Sequence, residues 1–154
     1  YLLCVILATV ELSRASDACG RARVAFTARS AFAAVAEELA RGDEEFALRT
    51  TIMATNELRD AIVRGDVEVV AAYLADGPAT TGSQRWDTLL AGQISRHLRL
   101  AGIERPPWLH PEPLRQFWFV NLASPLLVAR TIQRTSPDLW ALGVFLDDSS
   151  FETA

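Results

Sequence analysis

The chain contains no lysine: all 15 basic residues are arginine, and 19 acidic residues bring the net charge to −4. Without lysine, P-loop phosphate binding and Schiff-base chemistry are excluded, because both need a primary amine. Cysteine is nearly absent. Cys4 and Cys19 are the two present, too few for a disulfide scaffold or a four-cysteine zinc site. No apolar run approaches the roughly 18 residues of a membrane span. The negative balance gives no bulk attraction to nucleic acid. There are two histidines, His97 and His110, and neither has His or Glu beside it at helical spacing, so no metal site is expected. The glycines form neither a nucleophile elbow nor a nucleotide-binding fingerprint. Adjacent acids such as Glu37/Glu38, Glu44/Glu45 and Asp147/Asp148 would point about 100° apart on a helix, the pattern of solvated faces. No catalytic residue and no cofactor is therefore predicted.

Half of the 154 residues are apolar and 22% are charged, the balance of one globular domain. Residues 1–25 are set apart: Tyr1–Leu12 is almost wholly apolar, and Ser13–Arg23 is small, polar and basic. The apolar stretch reads as a buried strand or helix turn, since no basic residue precedes it and no cleavage signal ends it. Residues 26–154 are expected to form a single helical domain.

Cap-and-stop punctuation carries that expectation. Thr27 opens a helix ending near Arg41, where Gly42 stops it. Asp43 then caps a helix to Arg64, with Glu44 and Glu45 in the first turn, where the helix dipole favours acids. Its stripe is Ala47, Leu48, Thr51, Ile52, Leu58 and Ile62, with Arg49, Asn56 and Asp60 opposite. Gly65-Asp66 repeats the device before a short helix closed by Asp76-Gly77-Pro78. The two Arg-Gly-Asp triplets are thus read as helix stops followed by caps. A strongly amphipathic helix spans Gln84–Ala101, with Trp86, Leu89, Leu90, Ile94 and His97 on one face. His97 is expected there as a buried histidine hydrogen-bonded to backbone. Four prolines between Ile103 and Pro113 exclude regular helix and predict an ordered wrap around Trp108. Ser124-Pro125 and Ser136-Pro137 are further helix starts, and Val144–Leu146 is a strand stub. The fold class predicted is mainly α: a compact bundle of five or six helices with a Pro/Trp-rich wrap and at most a short strand.

Candidate partner-binding residues follow from faces this plan leaves over. Phe46 and Met53 lie off the main stripe of the long helix and need separate cover, from the fold or from a second copy. Arg85, Arg96 and Arg99 share one side of their helix, which reads as solvated or ion-paired, or as a dock for an acidic protein; base-stacking aromatics are missing there, so direct nucleic-acid binding is not expected. Trp86, Trp108, Phe117, Trp118 and Trp140 read as a large aromatic core, or else Trp108, Phe117 and Trp118 line a groove for a partner helix, because aromatics dominate interface hot spots.

From about Asp43 onward the order of features is distinctive. Glu45-Phe46-Ala47-Leu48-Arg49 precedes Thr81-Gly82-Ser83-Gln84-Arg85-Trp86-Asp87-Thr88-Leu89-Leu90-Ala91, then Pro107-Trp108-Leu109, Phe117-Trp118 and Ser136-Pro137-Asp138-Leu139. This resembles an uncharacterised actinobacterial domain found in or beside helix-turn-helix regulators near nucleotidyltransferase-type toxin genes. The resemblance implies a cytoplasmic, antitoxin-like or regulatory component that binds a protein partner or forms a homodimer, without membrane attachment. The residues themselves leave an alternative: a small enzyme or ligand-binding domain using a cleft near Trp108 and His110.

Overall fold

The structure is a computed structural model that describes residues 26–120 and 124–151. The apolar segment and both cysteines lie outside the described residues. Six α-helices and two short strands follow one another: α1 (Ala28–Ala40), α2 (Glu44–Arg64), α3 (Val67–Leu74), α4 (Gln84–Leu100), β1 (Trp118–Phe119), α5 (Val128–Arg134), α6 (Pro137–Ala141) and β2 (Val144–Phe145). A 3-10 turn, Pro125–Leu127, leads into α5, and another, Asp148–Phe151, follows β2. The mainly helical class predicted from the sequence is the one observed.

Both Arg-Gly-Asp triplets are helix punctuation. Gly42 and Gly65 take φ of +78° and +70°, the left-handed region that ends a helix without Cβ strain. Asp43 Oδ1 then accepts the Phe46 amide at 2.9 Å, and Asp66 Oδ1 accepts that of Val69 at 3.2 Å. Thr27 caps α1 through a reciprocal box in which Ser30 takes the place of the usual Glu.

The hinge at Gly42 folds α1 back on α2, and α4 runs through the middle of the domain. Trp86, Leu89, Leu90 and Ile94 are buried on its expected face, but Thr88, Gly92, Gln93 and Leu98 are buried as well. Gly92 explains why a second side is covered. A Cβ there would stand 2.7 Å from Leu142 Cδ1 and 3.1 Å from Leu139 Cδ2, so the missing side chain lets α6 press against α4. On α2, Ala47, Leu48, Thr51, Ile52 and Leu58 are buried as the stripe required.

Asn56 departs from its expected place on the polar side of α2 and is buried. The C-terminal 3-10 turn crosses α2 there, and Asn56 Nδ2 donates to the Phe151 carbonyl at 3.0 Å. A contact across 95 residues has no local signature in the sequence.

The strand stub has a partner that the sequence reading placed in an aromatic block. β1 pairs with β2 in parallel, with Trp118 opposite Val144 and Phe119 opposite Phe145. Gly143, at φ +74°, ends α6 and turns the chain into β2, and its carbonyl accepts the Trp118 amide at 2.9 Å.

Candidate functional site

The Thr80–Asp87 phrase builds a loop rather than a site. Asp87, in the first turn of α4, accepts the Thr81 amide at 2.7 Å and the Thr80 hydroxyl. Thr81 Oγ1 accepts the Ser83 amide at 3.2 Å, and Gly82 turns the chain at φ +83°. Trp86 is 3% exposed and meets Trp118 edge-on at 5.2 Å between ring centres. Thr80, Thr81, Gly82, Trp86 and Asp87 are thus occupied in latching the loop onto α4 and seating it, while Gln84 and Arg85 are exposed.

The Trp108 wrap is ordered, as the prolines predicted. Trp108 is half-buried and donates from Nε1 to the Leu74 carbonyl at 3.2 Å. It lies over Gly77, where a Cβ would meet its Cγ at 3.1 Å. A groove of about 320 Å³ runs beside it, past Thr80, Asp87, Thr88 and His110. Two of the polar groups along this groove serve the fold, Asp87 by holding the loop and Thr88 by donating to the Glu112 carbonyl at 3.0 Å, while Gln84 and the Glu112 side chain are exposed. His110 is exposed.

The three arginines of α4 do not form one free basic face. Arg96 makes a two-pronged contact with Asp148, at 3.2 and 2.9 Å, and Arg99 makes one with Asp138, at 2.8 Å on both prongs. The Arg99 hydrogen bonds hold the Asp138 carboxyl below the usual range. Arg96 and Arg99 therefore clamp the C-terminal segment onto α4, which leaves Arg85 exposed at the far end of the helix. Of the readings weighed for this face, internal ion pairing is what the geometry contains for two of the three.

His97 differs from its expected backbone-bonded place. It is half-buried, its Nε2 is shielded and has no hydrogen-bond partner, and the ring lines a pocket of about 360 Å³ with Ile62, Leu100 and Phe151. Burial, then the neighbouring Arg96 and Arg59, lower its pKa from 6.5 to about 4, with Asp60 opposing weakly. The imidazole is therefore neutral at pH 7. Burial raises the Asp148 carboxyl on the same rim above its ordinary range, against the pull of Arg96.

Phe117 and Trp118 share no groove with Trp108. Trp118 and Phe119 on β1 are both half-buried, Trp118 against the core and Phe119 against Phe145, with Phe117 exposed before them and Val120 buried after. Trp118 packs on Trp86, and Phe117 is 72% exposed. Around buried Phe145 the outer rings gather: Phe119 stacks on it at 4.8 Å, Phe117 meets it edge-on at 5.4 Å, and Trp140 edge-on at 6.4 Å. Trp140 is itself 55% exposed. Trp140, expected in the aromatic core, is instead exposed, and neither it nor Phe119 is an expected groove residue, because a two-residue parallel pairing and a five-residue helix leave almost no periodicity to read. The 3-10 turn before α5 adds exposed Leu126, and no residue of that turn or of α5 is buried.

Phe46 and Met53, seven residues apart on α2, are both at least half exposed, so the described part of the chain does not cover them. No described helix is long and apolar enough to cross a membrane. No family model matches the chain, and no match emerges from the curated proteins or from the solved structures.

Proposed function

We propose that this domain is a non-enzymatic protein-interaction module whose docking surface is the aromatic ledge of Phe117, Phe119 and Trp140. The observation that carries the reading is the exposure of Phe117 and Trp140 around a buried ring, on the rigid pairing of β1 with β2. Large aromatics held firmly at the surface cost little to desolvate and lose little freedom on binding, the usual properties of interface anchors. The cleft beside Trp108 and His110 supports an enzyme less well, since Asp87 and Thr88 are engaged by the fold and the other polar side chains, Gln84, His110 and Glu112, are exposed. The antitoxin-like, cytoplasmic role, with a toxin as partner, is one form of this proposal and rests on the sequence resemblance.

The test is a selection of displayed random peptides on the intact chain, counter-screened with a Phe117→Glu, Trp140→Glu variant. Both side chains are exposed, so the variant is expected to stay within about 1 kcal/mol of wild-type stability. Peptides selected on the wild type should bind it at least about 30-fold more tightly, the effect of losing one hot-spot anchor of about 2 kcal/mol. Selected peptides that bind both proteins equally would place the docking surface elsewhere.

A further inference from the structure

We infer that the partner segment seated on the ledge is acidic, with apolar anchors flanked by carboxylates. The inference rests on the ledge being the docking surface and adds the chemistry of what docks there. Asp147 lies two residues beyond Phe145, just past the strand that carries the ring cluster. Arg130 and Arg134 both reach it from α5, each at 3.8 Å. One carboxylate thus faces two guanidiniums, at distances too long for direct hydrogen bonds. Both arginines are more than half exposed, so their remaining donors are open to a ligand. In sequence, exposed Arg115 lies two residues before Phe117.

The other charged pairs nearby are balanced: Arg99 is matched by Asp138, and Arg96 by Asp148. Among the described residues flanking the ledge in sequence and contact, Arg115, Arg130 and Arg134 therefore stand against one aspartate, Asp147, which Arg130 and Arg134 share. The chain as a whole carries −4, so this excess is local and opposite in sign to the molecule. Guanidinium groups recognise carboxylates through a planar fork, and placed around an apolar centre they steer an acidic ligand and fix its register. The same excess opposes a twofold self-contact, because each copy would bring arginines against arginines. A second copy is therefore not the occupant.

The experiment uses the peptide pool selected on the intact chain. Ledge-dependent peptides should carry an excess of Asp and Glu next to Trp, Phe or Leu. Their affinity should fall at least tenfold for an Arg115→Glu, Arg130→Glu, Arg134→Glu variant and at least tenfold between 50 and 500 mM salt. If that triple variant does not fold, Arg115→Glu alone, at an exposed loop position, should still weaken binding about threefold. Ledge-dependent peptides without acidic excess, or with affinity indifferent to salt, overturn this inference and leave the docking surface standing. Peptides that ignore the ledge overturn the surface itself. Sedimentation supplies an independent check: the purified chain should be monomeric at tens of micromolar. A dimer that the Phe117→Glu, Trp140→Glu variant dissolves would make the occupant a second copy and defeat the acidic partner.

Discussion

Replacing Trp86 by alanine is expected to destabilise the domain by about 3–5 kcal/mol, the range for deleting a large aromatic from a packed interior. Trp86 is 3% exposed, and its edge contact with Trp118 ties α4 to β1. Losing it removes apolar burial, leaves a cavity that neighbours on α4 cannot fill, and forfeits the ring–ring contact. Against a total stability of about 5–15 kcal/mol, the loss is large. The melting temperature should drop by roughly 10 °C, given about 2–4 °C per kcal/mol for a chain of this size. Urea titration should show a lower midpoint with an unchanged slope. Trp140→Ala is the control: at 55% exposure it should cost under about 1 kcal/mol. Equal losses for the two tryptophans would contradict the division between core and ledge.

The second large effect is acid sensitivity through His97. Its pKa is about 4 in the folded chain and about 6.5 when the chain is unfolded. Between these values the unfolded state binds a proton that the folded state refuses, so stability rises with pH across this window. The contribution of neutral His97 is fully present above about pH 6.5 and is lost as pH falls towards 4. A shift of this size corresponds to at most about 3 kcal/mol, less where water reaches the ring. The groups facing it are Arg96 on its own helix and Arg59 and Asp60 on α2, with Asp148 across the pocket. The arginines stay charged throughout, so they do not supply the transition. Asp148 acts in the opposite direction: its raised pKa means that the folded chain takes up a proton more readily than the unfolded one, which offsets part of the loss near the bottom of the window. His97→Gln should flatten the stability profile between pH 6.5 and 4.5. An unchanged slope in that variant would mean that His97 is not the group refusing the proton.

Much of the helical plan was legible because its signals are local. Asp43 and Asp66 sit where a helix needs acceptors, and Gly42 and Gly65 where it needs a left-handed turn; both demands are met within four residues. Side-chain faces were legible only where a single surface covers the helix. Asn56 read as a polar position and Gly92 gave no signal; both are buried because segments 95 and about 50 residues away return across them. The proposed interaction surface was half legible. Phe117 was picked out as an aromatic anchor, but Trp118 packs against the core, while Phe117 joins Phe119 and Trp140 around Phe145. That division depends on β1 being a strand, which its pairing with β2 decides. Arg96 and Arg99 looked like a basic face because their acids, Asp148 and Asp138, lie 52 and 39 residues away.

Two exposed apolar surfaces remain in contention: the ledge, and the ridge of Phe46 and Met53 on α2. Isothermal titration of the best selected peptide against wild type, Phe117→Glu/Trp140→Glu and Phe46→Glu/Met53→Glu separates them directly. The account predicts that the ledge variant weakens binding at least about 30-fold, while the α2 variant binds within a factor of two of wild type. The reverse pattern, with affinity lost in the α2 variant and kept in the ledge variant, would contradict it.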